Sequence, residues 1–214
     1  MTELTAAHTQ WANRPSDERY ESLADLSAAT HHYRDISREI ERLPVRSLSV
    51  TNDMHIVMPS GMQLEPTNWS FAQLAHAADA PAEYLKRLPT SVAAFNLNVG
   101  LRQAREDISM LFSHNGHDVV RSMNGVNYGR IWDSDVVDAV MNNVDDCWQV
   151  PLDAYNGVMS KQATTLYASD RDVFIFLTDQ TRPVELDGQT YFRGFYVWNS
   201  EVGSATFGIA TLVL

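Results

Sequence analysis

The amino-acid sequence predicts an α+β protein, with antiparallel sheets beside a helical cluster in a single compact domain over residues 1–214. Three observations carry this prediction. Helix-period and strand-period segments come in runs and not in strict alternation, which disfavours a parallel α/β sheet. Asn115-Gly116 and Asp187-Gly188 sit between apolar segments and favour the positive φ of two-residue hairpins. Hydrophobic residues make up 44% and charged residues 20%, which is enough apolar material for a core and excludes a disordered chain. No repeat, low-complexity tract or linker marks an internal boundary.

Residues 1–15 read as a polar lead-in ending in Trp11-Ala12-Asn13-Arg14-Pro15. A helix is predicted over roughly 17–36, with Tyr20, Leu23, Leu26 and Tyr33 near one face, and Pro44 ends any helix by that point. A three-stranded meander follows. Its strands are Val45–Thr51, Met54–Met58 and Met62–Leu64, joined by turns at Asn52-Asp53 and Ser60-Gly61. Asn68 is the expected N-cap of a helix over Trp69–Ala78. Pro81 starts a short helix with Tyr84, Leu85 and Leu88 inward, and a third helix, about 91–106, carries Val92, Phe95 and Val99 on one stripe.

Ile108–His114 and His117–Met123 are predicted to pair across Asn115-Gly116. After the Asn124-Gly125 loop, Asp133 or Ser134 caps a helix with the stripe Val136, Val137, Val140, Met141 and Val144. The last third is β-rich. Gln162–Ala168 precedes Asp172–Thr178, whose residues 173–177 are apolar on both faces and suit a central strand. Pro183–Leu186 pairs with Gln189–Trp198 across Asp187-Gly188. Ser204–Leu214 is a final apolar strand, whose exposed edge is expected to favour a partner or self-association.

A formal net charge of -11 repels phosphate and argues against coating nucleic acid by charge alone; it suits a basic surface on a partner protein. Cys147 is the only cysteine, which excludes an intrachain disulfide and a four-cysteine zinc site and fits a reducing compartment. Met1-Thr2-Glu3-Leu4 lacks the basic and apolar pattern of a signal peptide, and no apolar run reaches about 18 residues. The expectation is a cytoplasmic protein without a membrane segment.

No Gly-rich phosphate loop, GxSxG elbow or HExxH is present, so no catalytic residue, metal ligand or cofactor is assigned. His31, His32 and Asp35 are set against a solvated helix face, since adjacent histidines on a helix point about 100° apart. His114, His117 and Asp118 flank a hairpin tip, and Cys147, among acidic neighbours that disfavour a thiolate nucleophile, suits a structural role. Trp11, Tyr20, Trp69, Tyr128, Trp132, Trp148, Tyr155 and Trp198 form an aromatic-rich set, read either as core or as platforms for bases. Gly194 inside a strand signals a bulge or a close backbone approach.

Three segments carry a resemblance: Trp11-Ala12-Asn13-Arg14-Pro15, Tyr128-Gly129-Arg130-Ile131-Trp132-Asp133-Ser134-Asp135-Val136-Val137, and Arg193-Gly194-Phe195-Tyr196-Val197-Trp198-Asn199-Ser200-Glu201-Val202-Gly203. With them the chain resembles, over nearly its whole length, the family known as domain of unknown function 932, found in phages, plasmids and related mobile elements. Members are usually longer and continue past the strand at which this chain ends, so the resemblance implies a shortened or truncated member. It brings the setting of mobile-element DNA metabolism and no established reaction. Single-strand annealing proteins of the RecT or Red-beta type offer a fold analogy.

Three functional readings stay open, and the first is preferred. The first is a single-stranded nucleic-acid-binding or annealing protein of replication or recombination. Bases would stack on Tyr128 and Trp132, Arg121, Arg130 and Arg193 would meet phosphates, and Asn199 would sit in a polar tip. The second is an acidic inhibitor that binds a host defence protein through a basic surface. The third is a metal-dependent enzyme using Asp133, Asp135, Asp138 and Glu201, set against simple helix N-terminal charge.

Overall fold

The structure, a computed structural model, describes residues 14–114, 116–151 and 164–213, apart from the Gln180 side chain. In chain order the strands are β1 (Arg19–Tyr20), β2 (Ser37–Pro44), β3 (Ser49–Val50), β4 (Ile56–Val57), β5 (Gln63–Pro66), β6 (Asp107–His114), β7 (Asp118–Gly125), β8 (Trp148–Gln149), β9 (Leu166–Ala168), β10 (Val173–Leu186), β11 (Gln189–Asn199) and β12 (Gly208–Val213). The helices are α1 (Leu23–Asp35), α2 (Asn68–Ala77), α3 (Ala82–Leu85), α4 (Thr90–Gln103) and α5 (Asp133–Asn143). The fold is α+β. Among the described residues, no helix is long and apolar enough to cross a membrane. The chain divides into two compact units: Met1–His32, Ile131–Glu201 and Ala205–Leu214 form one, and Tyr33–Arg130 with Val202–Ser204 form the other.

The unit built from Tyr33–Arg130 holds a sheet in the order β2-β6-β7-β5-β4-β3. The meander is present with shorter strands, because Val45–Ser47 coils into a 3-10 turn. All of its ladders among the described residues are antiparallel except β5–β7, where Glu65 and Pro66 run parallel to Val119 and Val120. β2 was not foreseen; it carries Arg38, Glu39, Glu41 and Arg42. Its charges suit an edge strand, and only Ser37 and Leu43 are buried. His114 pairs with Asp118, so the β6–β7 connection holds three residues and not two; Gly116 sits there at φ +77°, and Asn115 lies outside the described residues.

α2, α3 and α4 pack their apolar residues into this unit's core with Ile56, Leu64 and Met110. Thr67, and not Asn68, caps α2 by accepting the Ser70 amide hydrogen. The buried face of α4 is Ala93, Ala94, Leu97 and Leu101, whereas the expected stripe of Val92, Phe95 and Val99 faces outward, with Phe95 69% exposed. Tyr84, expected inward, is also exposed. One reason is close packing: at Gly100 a Cβ would lie 2.0 Å from the Ala78 carbonyl oxygen, so the inward face is set by Ala93, Ala94 and Gly100 together with Leu97 and Leu101.

The other unit's sheet runs β1-β9-β10-β11-β12, with β8 also pairing β10. The predicted helix start at 17 is corrected. Ser16–Glu18 is a 3-10 turn, Arg19–Tyr20 pairs with Leu166–Tyr167, and Ser22 then caps α1 by accepting the Asp25 amide hydrogen. β10 is central and apolar on both faces, as expected, and runs on past a register shift between Asp179 and Val184 into the predicted hairpin. Asp187 and Gly188 both take positive φ there, as a type I′ turn requires. One sheet face carries an aromatic ladder, Tyr167–Phe174–Tyr196–Trp198, with ring centroids 5.3, 5.7 and 5.4 Å apart. Trp198 lies directly over Gly208, where a Cβ would come within 2.0 Å of the indole. Gly194 is a close approach in regular register, with the Leu212 and Phe176 side chains filling its missing Cβ space.

Candidate binding groove

The opposite face of β11 and β12 forms the floor of an apolar groove. Arg193, Phe195 and Val197 pair with Val213, Thr211 and Ile209, so these six side chains share one face. α5 supplies a wall. Val136, Val140 and Val144 recur every fourth residue and line the groove, while Val137 turns away and is fully buried. Trp148 stands edge-on to Phe195 at 4.9 Å and closes one side. The groove's volume is about 890 Å³, at the upper end for small-molecule sites. It is open: Phe207, Ile209 and Val213 are 48%, 61% and 60% exposed.

The N-terminus of α5 is anchored from β11. Trp132 precedes the helix and brings no side-chain cap. Glu201 supplies the acceptor instead, taking the Asp133 amide hydrogen at 3.1 Å. Asn199 Nδ2 donates to Asp133 Oδ1 at 2.7 Å and to the Ile131 carbonyl at 2.9 Å. Asn199, Glu201 and Asp133 are all buried. Asp133 is therefore a first-turn residue and not a cap, and Asn199 is a scaffold residue and not an exposed tip.

Arg193, the one cation lining the groove among the described residues, donates to Asp179 Oδ2 at 2.6 Å. Asp179 also accepts from Arg182 Nε at 2.7 Å and from the Thr181 hydroxyl and amide. Burial would raise the Asp179 carboxyl, but the hydrogen bonds from Thr181 and Arg193, with the Arg182 charge, outweigh it and hold the pKa at about 2.

The other predicted site residues are held within the unit built from Tyr33–Arg130. Arg121 is buried, donates to the Ser37 hydroxyl at 3.0 Å and lies 5.9 Å from the Tyr33 ring. Arg130 does come together with Tyr128, its guanidinium 5.5 Å from the ring, but its side chain is only 4% exposed and donates to Glu39 at 2.9 Å. Burial alone would raise the Glu39 carboxyl, yet hydrogen bonds from Arg130 and Ser109 hold it below its ordinary value. Tyr128 packs beside Gly203, where a Cβ would lie 3.4 Å from the ring.

Among the described residues, no group of three or more His, Cys, Asp or Glu side chains is placed to hold a metal ion. Asp138 instead accepts from Ser27 and pairs with His31 at 2.9 Å, and His114 pairs with Asp118 beside the hairpin. In the first resembling segment, Trp11, Ala12 and Asn13 lie outside the described residues, as does Tyr155. Arg14 is bidentate to Asp172 at 2.9 and 2.7 Å and stacks 4.5 Å over Tyr167.

The sequence did not point to the groove, although two signals for it were present. The α5 stripe is wide enough to cover two surfaces, and Gly208–Val213 is apolar on both faces despite being an edge strand. No protein-family model, curated protein or solved structure matches the chain.

Proposed function

We propose that the unit carrying this groove is a docking module that binds a partner protein by taking up an apolar segment with positive charge. The observation that carries this reading is where the charge lies. Among the described residues that unit has 15 Asp and Glu against 5 Lys and Arg, a net charge of -10, whereas the other has 10 of each sign and is neutral. Among the described residues the excess of negative charge therefore sits on the unit with the open apolar groove. Apolar burial supplies affinity, and the acidic field steers and selects a basic partner. The resemblance to the domain of unknown function 932 family supports a mobile-element setting, in which a host defence protein with a basic surface is the partner class and the chain is its inhibitor. The single-stranded nucleic-acid reading draws less support, because Arg121, Arg130 and Arg193 are held by Ser37, Glu39 and Asp179.

The test is fluorescence anisotropy with a labelled amphipathic lysine–leucine peptide and a labelled single-stranded oligonucleotide, each over a salt series. The peptide is expected to bind, to weaken as salt rises, and to bind less well to Ala139→Trp, which fills the groove from α5. Tighter binding of the oligonucleotide than of the peptide overturns the reading, as does peptide binding that Ala139→Trp leaves unchanged.

A further inference from the structure

The edges of the two sheets are protected unequally. Among the described residues, β1 and β3 end their sheets with two residues each, too short to template another strand. β2 is longer but carries Arg38, Glu39, Glu41 and Arg42, a register shift between Ile40 and Leu43, and a terminal Pro44. Charge, bulges and proline are the usual defences of an edge. β12 has none of them. It runs six residues as Gly208-Ile209-Ala210-Thr211-Leu212-Val213, without charge or proline and in unbroken register with β11. Among the described strands, none pairs with its outer side.

This edge borders the groove. Ile209, Thr211 and Val213 point to the groove side, so a strand laid beside β12 would direct every second side chain into the same apolar space. We infer that the partner binds by strand addition: an extended segment alternating apolar and basic residues pairs with the outer edge of β12. Its backbone takes up the edge hydrogen bonds, its apolar side chains enter the groove beside Ile209 and Val213, and its cations meet the acidic unit. A second copy of this chain is the poorer occupant, because β12-to-β12 pairing would bring two strongly acidic units together. This inference rests on the docking reading above and specifies its binding mode.

The probe is a labelled peptide alternating valine and lysine, of about the length of β12, compared with the same peptide N-methylated at every backbone amide. Methylation keeps the side chains and charges and removes the backbone donors. The parent is expected to bind roughly tenfold or more tightly than the methylated form, since several hydrogen bonds are lost together. Amide hydrogen exchange in Gly208–Val213 is expected to slow when the parent binds. Equal affinity of the two peptides, weakened alike by Ala139→Trp, overturns strand addition and leaves the groove reading standing. Binding of the lysine–leucine peptide alone has the same meaning. If none of the three binds, both readings fail. A dimer whose β12 amides are already protected without peptide overturns the partner in favour of a second copy.

Discussion

Replacing Asn199 with alanine tests whether β11 holds the groove wall in place. The amide nitrogen makes two bonds, a buried one to the Asp133 carboxylate at 2.7 Å and a partly buried one to the Ile131 carbonyl at 2.9 Å. A hydrogen bond to a charged group is worth about 1.5–3 kcal/mol and one to a neutral carbonyl about 0.5–1.5 kcal/mol, so the loss is about 2–4.5 kcal/mol. For a chain of this length, that lowers Tm by about 5–15 °C. Glu201→Gln is the graded companion. It keeps an acceptor for the Asp133 amide but loses the favourable charge at the helix N-terminus, so its expected cost is smaller, about 0.3–1 kcal/mol. The assay is thermal unfolding followed by circular dichroism, with binding of the neutral dye Nile red measured well below the transition. Asn199→Ala is expected to lose both stability and dye binding. A Tm change under about 2 °C would refute the anchoring argument, because no compensating bond could restore so much of the loss.

Three further outcomes follow from the packing and the charges. Gly100→Ala improves helix propensity by about 1 kcal/mol, yet its Cβ would lie 2.0 Å from the Ala78 carbonyl oxygen; urea unfolding should show net destabilisation, and a more stable variant would deny the close approach. Leu97→Ala should cost about 2–5 kcal/mol and Phe95→Ala less than about 0.5 kcal/mol, and similar costs would mean the α4 faces are misassigned. Asp179 has a folded pKa of about 2, below its ordinary 3.8, so its contribution is complete above about pH 4 and is lost as pH falls toward 2. The acid-induced drop in Tm across that window should be shallower in Asp179→Asn, and an unchanged profile would remove Asp179 from the account.

Much of the fold was legible because local chemistry and tertiary environment agree. Asp187-Gly188 demands positive φ and receives it, and Val173–Leu177 is apolar on both faces because it is covered on both. What was missed lies where tertiary context overrides local preference. β2 is written in helix-favouring charges because it is an edge, and the α4 stripe was assigned to the wrong face because Ala93, Ala94 and Gly100 pack inward together with Leu97 and Leu101. The division into two units had no sequence mark, since its crossings fall inside α1, in the loop after Arg130 and in the short run 202–204. The candidate site was harder still. Arg121 and Arg130 attract notice as cations, but charge in a sequence does not disclose whether an internal acceptor already holds it.

The stretch from Arg193 to Gly203 is the most distinctive in the chain, and its geometry separates scaffold from contact surface. Arg193 is tied to Asp179, Gly194 admits Phe176 and Leu212, Trp198 covers Gly208, and Asn199 with Glu201 anchors α5. These residues build the groove, whereas Phe207, Ile209 and Val213 stand exposed along it. The two classes should therefore behave differently. Trp198→Ala uncovers Gly208 and truncates the aromatic ladder, so stability and peptide binding should fall together, stability by about 1–3 kcal/mol for a partly buried aromatic. Ile209→Ser and Phe207→Ser remove apolar surface that already faces water. Their Tm should stay close to the parent, while affinity for the valine–lysine peptide falls several-fold. If Ile209→Ser binds like the parent at unchanged Tm, the groove is not where the partner sits; if it unfolds the protein instead, Ile209 belongs to the core and the open edge is not an open edge.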